Sequence, residues 1–251
     1  MLIRKSTIRI LVLALVYVWC GNAIAAGSAK TAAGQHGEQI RIQGSLVIIE
    51  PDIELTEVTA GGLQEPRREW TDAARRNYPE GVKHLLSREN GPRISTFDIP
   101  DDTAPGSRLG QVLRLNQEVA MSIAQYSATG SVLATKKDPL TGKPLLDWQL
   151  GQGVQEIRQL TGADYALFTY VRDSYASSGR TALRTFALIA GAAMGAYVDI
   201  GGGVQVGVAS VVDLRTGQVV WHNLMVRQSG DLRDEKGARA AVKQLLEDLP
   251  L

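Results

Sequence analysis

Histidine, serine and aspartate side chains that could carry acid–base or nucleophilic chemistry are few and far apart in this sequence. The three histidines, His36, His84 and His222, have no second ligand at metal-binding spacing, so the sequence predicts no metal site. A hydrolase would have to use His222 as its acid–base group with Asp213 or Ser174, and no nucleophile elbow surrounds that serine. We keep this periplasmic hydrolase as the alternative hypothesis.

The glycine-containing motifs do not predict a nucleotide cofactor. Gly151 and Gly153 would need a third glycine where Glu156 stands, and the segment opens no strand-to-helix turn. Gly142 and the lysine after it are followed by a proline and lack the upstream glycine of a phosphate-binding loop. We therefore expect no cofactor.

Residues 183–198 have the composition of a helix that associates with another surface. The stretch is apolar and rich in small residues, and glycines four positions apart let two helices approach closely. With sixteen residues it is shorter than the ~20 that a membrane-spanning helix needs, so a peripheral membrane contact is the alternative to protein packing. The interface residues that we expect are Gly191, Ala192, Met194, Gly195 and Tyr197.

The element around which the fold is expected to form is a β-hairpin over residues 204–226. Two apolar arms flank a polar connection, residues 213–217, which ends in a glycine suited to the left-handed conformation. Both faces of the arms are apolar; in the second arm Val219 and Trp221 should face away from Val220. A hairpin that is apolar on both sides predicts a central position in a sheet with helices above and below it.

The remaining periodicity predicts an α/β (α+β) fold, a mixed β-sheet with this C-terminal hairpin at its centre and helices on both faces. We expect a helical region interrupted by Pro79, exposed loops over 129–145 and 172–180, and a helix that begins near Asp147, has Leu160 inward and ends at Gly162. The other predicted strands are 40–50, 93–99 and 163–171, and the other predicted helices are 109–123 and 234–249.

The first 25 residues are typical of a secretory signal peptide. Three basic residues precede an apolar run that ends in Ala-Ile-Ala, a small-x-small cleavage pattern. We divide the chain into a signal peptide (1–25), a flexible tether (26–39) and a single α/β domain (40–251). Without Arg4, Lys5 and Arg9, the 27 basic residues fall to 24 against 26 acidic ones, a formal charge of −2 that gives no reason to expect nucleic-acid binding.

Cys20 is the only cysteine and lies within the predicted signal peptide. A lipoprotein cleavage site has a small residue directly before the cysteine, whereas this chain has Trp19 there and Tyr17 in the position usually taken by Leu. We therefore expect cleavage after Ala25 or Ala26, without lipid on Cys20. The mature chain would then contain no thiol and no disulfide.

The order of elements resembles that of exported bacterial proteins related to the curli-secretion (CsgG-like) lipoproteins and the penicillin-binding-protein activator lipoproteins. The local likeness lies in TGADYAL (161–167), in VDLRTGQVVW (212–221) and in the final helix. The resemblance implies a periplasmic or outer-membrane-associated, non-enzymatic protein that works through partners in the cell envelope. The chain lacks the long alternating strands of the curli channel, so we do not predict a pore.

The leading hypothesis from the sequence is therefore a non-enzymatic accessory protein of the cell envelope, exported to the periplasm. It would act in assembly, secretion or envelope maintenance by binding an envelope protein or by self-association, and would use no cofactor.

Overall fold

A computed structural model describes residues 30–32, 40–87, 91–128, 133–142, 145–193, 203–227 and 231–251 of the chain. The predicted signal peptide lies outside these residues. The strands are β1 (Lys30–Thr31), β2 (Ser45–Ile49), β3 (Asp52–Val58), β4 (Gln64–Pro66), β5 (Arg93–Phe97), β6 (Tyr165–Ala176), β7 (Gln205–Asp213) and β8 (Val219–Arg227). The helices are α1 (Arg68–Leu86), α2 (Arg108–Ala128), α3 (Gln155–Thr161), α4 (Ser178–Ala193) and α5 (Glu235–Leu245).

The described strands form one mixed sheet in the order β1-β8-β7-β6-β2-β5. The long strand β6 pairs in parallel with β2 over its first residues and with β3 over its remaining ones, and β4 pairs with the outer edge of β3. On the other side β6, β7 and β8 are antiparallel to one another. The hairpin β7–β8 thus lies inside the sheet, between β6 and the two-residue strand β1, and its predicted position within the sheet is confirmed.

Helices cover both faces of the sheet, which confirms the predicted α+β architecture. Helices α1 and α5 pack on one face around Tyr78, Trp221 and Val242. Helices α2 and α3 pack on the other face around Ile123, Ile157 and Val212. Because the central strands are buried on both sides, they read as nearly continuous apolar runs in the sequence.

A β-bulge in the hairpin changes which side chains share a face. Val211 pairs with Trp221 but Val212 pairs with Val219, so Val220 is an extra residue on β8. Val220 therefore joins Trp221 on the α1/α5 face, and Val219 faces α2. The strict alternation predicted for this arm was wrong at these two valines, because a one-residue insertion reverses the faces beyond it.

The predicted loop over 172–180 was also wrong. Strand β6 continues to Ala176 and α4 begins at Ser178, five residues before the helix predicted over 183–198. Strands β3 and β4 were not predicted, and Lys30–Thr31, within the predicted tether, pairs with Trp221 and His222 of β8.

Two predicted helices differ from their expected form. Helix α1 is continuous through Pro79. The segment after Asp147 is a 3-10 turn, Gly151–Val154, followed by α3, and Gly162 ends α3 with φ 67° as predicted. Leu160 is 53% exposed instead of inward, because the 3-10 turn has a different angle per residue and rotates the following face.

Candidate functional site

Helix α4 lies in the connection between the end of β6 and the start of β7. Ser174 and Val204 join the two ends of this connection by hydrogen bonds. The Ser174 N–H and hydroxyl donate to the Val204 carbonyl at 3.0 and 3.1 Å, and the Val204 N–H donates to the Ser174 hydroxyl oxygen at 2.9 Å. A Cβ at Gly203 would lie 1.7 Å from the Ser174 carbonyl oxygen, so only glycine fits beside this closure.

The first turn of α4 is anchored and the following turn is exposed. The Ser177 hydroxyl accepts from the Arg180 N–H at 3.1 Å, as an N-cap does, and Gly179 lies close to Ala60 in the β3–β4 turn. One turn further on, Leu183 is 45% exposed. The helix therefore extends away from its anchoring contacts with an apolar side chain facing solvent.

The residues predicted as an interface fall at and beyond the end of this helix. Gly191 and Ala192 belong to the last turn of α4, whereas Met194, Gly195 and Tyr197 lie outside the described residues. Along the helix, Leu183 and Gly191 share one ridge of residues spaced by four, with Ala187 between them. The exposed leucine is thus in line with the first of the two glycines.

The structure does not bring together the residues of the alternative hydrolase. His222 lies opposite Ser210, and Asp213 is three residues further along β7, or about 10 Å at strand spacing. On the neighbouring strand β6, Tyr165 is the residue paired with Asp213. Ser174 lies nine residues further along β6, roughly 30 Å from that pair. The partners of Asp213 and Ser174 are Arg215 and Val204, so no triad forms among them.

His222 is a buried structural residue. It is 2% exposed, and its Nε2–H donates to the Ala120 carbonyl of α2 at 3.1 Å. Burial lowers the pKa of His222 to about 4, with a smaller contribution from the charge of Lys30 on β1 and an opposing one from the hydrogen bond. The imidazole is therefore neutral at physiological pH and has no contact with solvent through which it could exchange a proton with a substrate.

A buried polar chain joins α2 to the centre of the sheet beside this histidine. The Tyr170 hydroxyl donates to Asn116 Oδ1 at 2.8 Å, and Asn116 Nδ2 donates to the Ser210 hydroxyl at 3.4 Å. Burial raises the pKa of Tyr170 above its usual range, so the phenol stays protonated. These hydrogen bonds satisfy the buried groups and fix the position of α2 over β6 and β7.

A crevice forms where the parallel strands β2 and β5 end. After β2 the chain continues along β6 as β3, whereas the chain after β5 leaves the sheet and leads to α2. A space therefore opens beside residues 49–52, beyond the last residues of β5. Glu50 lies at this point, with its N–H donating to the Phe97 carbonyl at 2.8 Å.

Two cavities open from the crevice, one on each face of the sheet. The cavity on the α2 side has a volume of about 220 Å³ and the one on the α1 side about 370 Å³, and Glu50 lines both. These residues were not predicted from the sequence. Their only signal there is an acidic residue and a proline directly after a buried strand, and the crevice itself depends on a strand order that the sequence does not reveal.

The described part of the chain holds no group of three or more His, Cys, Asp or Glu side chains arranged to bind a metal. Within the same residues, none of the helices is long and apolar enough to cross a membrane.

Comparison with known proteins gives only distant structural similarity. No protein-family model and no curated protein matches the chain. Similar solved structures include the PelC dodecamer from Paraburkholderia phytofirmans, with 11% identity, 89% of this chain and 97% of that chain covered, and a TM-score of 0.38. They also include lipoprotein GNA1162 from Neisseria meningitidis (14% identity, 82% and 99% covered, TM-score 0.30) and the LpoB C-terminal domain from Escherichia coli (10%, 78% and 90%, 0.28).

The likeness to these structures is too distant to decide between the two groups that the sequence resembles. At such TM-scores and identities the similarity carries no argument about what this chain binds.

Proposed function

We propose that this protein is an exported, non-enzymatic accessory protein of the cell envelope that acts by binding a protein, either a second copy of itself or another envelope protein. The observation that carries the proposal is the exposure of Leu183 on α4. This helix follows a connection whose ends are joined by hydrogen bonds, and Leu183 lies beyond its anchored first turn. Residues 186–193, which follow Leu183 on this helix, are all apolar in the sequence, and a contiguous apolar surface of this kind is typical of one that another molecule covers. The separation of His222, Asp213 and Ser174 removes the arrangement that the enzyme hypothesis required.

The composition of the helix favours a protein partner over lipid. The glycine ridge that begins at Gly191 lets another backbone approach closely, which gains many van der Waals contacts against protein but few against lipid chains. The proposed contact surface is therefore the ridge from Leu183 to Gly191, and Gly195 has the next position of the same spacing in the sequence.

Replacing both glycines, Gly191→Leu together with Gly195→Leu, is expected to break the association. Each added leucine would push the partner backbone away, at ~1 to 3 kcal/mol per site, so the complex should weaken by about tenfold or more. Size-exclusion chromatography with light scattering measures self-association, and pull-down from native envelope extract measures binding of another protein.

Thr185→Leu is the matched control for this experiment. Thr185 is exposed on α4 and lies about 120° around the helix from Gly191, so its replacement adds similar bulk away from the ridge. The control should keep the association. A double variant that keeps its size, melting temperature and partner but no longer floats with liposomes would mean that the segment contacts membrane.

We also propose that the protein reaches the periplasm by signal-peptide cleavage after Ala25 or Ala26, with association at the outer membrane through its partner. Trp19 is too large for the small-residue pocket that cleavage before a lipidated cysteine requires. Intact mass spectrometry of the mature protein is expected to show a chain that begins at Ala26 or Gly27. A mass that includes diacylglyceryl on Cys20 would overturn this processing and make the protein a lipid-anchored one.

A further inference from the structure

The smaller cavity of the crevice, about 220 Å³ on the α2 side, is lined by both apolar and charged residues. Its apolar lining is contributed by Ile49, Ile99, Leu113 and Phe168. Pockets for drug-sized ligands measure roughly 300 to 1,000 Å³, so this space suits a smaller molecule. At ~30 Å³ per water it has the volume of about seven water molecules.

Three charged side chains line this cavity, and one of them is already neutralised. Asp52 forms an ion pair with Arg172, at 3.0 Å between Asp52 Oδ2 and Arg172 Nη2. Glu50 accepts a hydrogen bond from the Ile99 N–H at 2.9 Å through Oε2, and among the described residues it has no cationic partner. Arg114, on α2, has neither a hydrogen bond nor an ion pair with any residue that the structure describes.

The cavity thus has one carboxylate and one guanidinium in its lining that form no ion pair with each other, together with apolar side chains. A ligand that satisfies both must carry a cation and an anion, together with an apolar part of a few carbon atoms. We propose that this cavity binds a free apolar amino acid as its zwitterion, with the ammonium at Glu50, the carboxylate at Arg114 and the side chain against Ile49, Leu113 and Phe168.

The location of the cavity also means that a bound ligand would connect separate elements of the fold. Glu50 joins the ends of β2 and β5, through its own N–H to Phe97 and through its carboxylate to the Ile99 N–H. A ligand ammonium on the free carboxylate oxygen would therefore connect these strand ends to α2, which carries Arg114. The site is separate from α4, so its test and the test of partner binding can fail independently.

Isothermal titration of the mature protein with L-leucine tests the proposal, alongside N-acetyl-L-leucine, which lacks the ammonium, and isoamylamine, which lacks the carboxylate. Leucine is expected to bind with a Kd of about 1 mM or lower. Each of the other two compounds should bind at least about tenfold more weakly, because one charge-assisted hydrogen bond is lost and a charge on the protein is left unpaired.

Two variants assign the charges to their residues. In Arg114→Gln, leucine should bind no better than isoamylamine, and in Glu50→Gln no better than N-acetyl-leucine. Glutamine at position 50 keeps an oxygen that can accept from the Ile99 N–H, and Arg114 is exposed, so both variants should fold. Arg76→Gln, in the larger cavity on the opposite face, is the matched control and should bind leucine as the wild type does.

Failure of leucine to bind the folded wild-type protein at about 20 mM would overturn the proposal, since that concentration exceeds the expected Kd many times over. Equal affinity for all three compounds would also overturn it, because the charged residues of the lining would then not recognise the ligand. The same conclusion follows if Arg76→Gln weakens binding as much as Arg114→Gln.

Discussion

Acidification from pH 7 to pH 4.5 is expected to reduce the free energy of unfolding by about 2.5 kcal/mol through His222 alone. The pKa of this group is about 4 in the folded protein, against 6.5 for an ordinary histidine. A depressed folded pKa means that the unfolded chain binds the proton first. The stabilisation is therefore fully present above pH 6.5 and is lost as the pH falls toward 4, by up to 1.36 kcal/mol per pH unit.

The physical cause is the position of His222 between α2 and the sheet. Its imidazolium would be formed in a dry site whose nearest charged neighbour along the ladder is Lys30, another cation, while the Ala120 carbonyl compensates only in part. The carboxyls with lowered pKa values, Asp164 and Asp231, start from an ordinary value of 3.8 and titrate below the window used. Histidine should dominate the change between pH 7 and pH 4.5.

Urea denaturation at several pH values measures this effect, with His222→Gln as the control. Glutamine retains an N–H donor for the Ala120 carbonyl but does not titrate between pH 7 and pH 4.5. The variant should have a lower stability at pH 7 and a much flatter pH dependence than the wild type. Parallel pH curves for the two proteins would show that His222 is not the group whose protonation destabilises the fold.

The sequence predicted those elements whose signals are local. Gly217 has φ 79° in the hairpin connection, and Gly162 has φ 67° at the end of α3, as their positions after apolar runs indicated. The helix predicted over 234–249 is α5, and the Asp234 side chain caps it by accepting from the Gly237 N–H at 2.7 Å. Each of these features is decided by residues within a few positions of one another, so the pattern alone was sufficient.

The second half of β6 could not be predicted in this way, because its polar residues also bond to residues on other strands. Arg172 pairs with Asp52 across the sheet, and Asp173 accepts from Tyr175 and from Gln205 on β7. Without knowledge of these partners, Arg-Asp-Ser reads as an exposed loop. Strand β3 could not be predicted for a related reason. It pairs with the second half of β6, which the sequence indicated to be a loop.

The two candidate sites also differ in how far the local sequence could predict them. The helix that presents Leu183 and Gly191 was predicted from composition, although its start was placed five residues late. The crevice at Glu50 and Arg114 was not predicted, because it arises from three strands and a helix that are separated widely in the chain. The composition of a segment can show that it needs a partner. Charged residues from distant parts of the chain can be assigned to one cavity only when the strand order is known.

The substitution Trp221→Ala is expected to cause the largest loss of stability, about 3 to 5 kcal/mol. Trp221 has no exposed surface and lies on the α1/α5 face of β8, beside the bulge at Val220 and opposite Val211. Its removal would leave a cavity in the centre of the core that the strands on either side cannot close. Urea denaturation at pH 7 measures the loss, and Trp148→Ala is the control.

Trp148 is only half-buried, with the Lys136 ammonium 5.3 Å from its ring centre, and its truncation should cost about 1 kcal/mol. Equal losses at the two tryptophans would contradict the central place assigned to β8.

The substitution Trp221→Phe separates the effect of side-chain volume from that of polarity, because the indole Nε1–H is buried without a hydrogen-bond partner among the described residues. Phenylalanine fills most of the space and removes that unsatisfied donor, so this variant should lose less than about half of what alanine loses. The tryptophan of the hairpin, one of the residues on which the family resemblance depends, would then be a residue of the fold rather than of a binding or catalytic site.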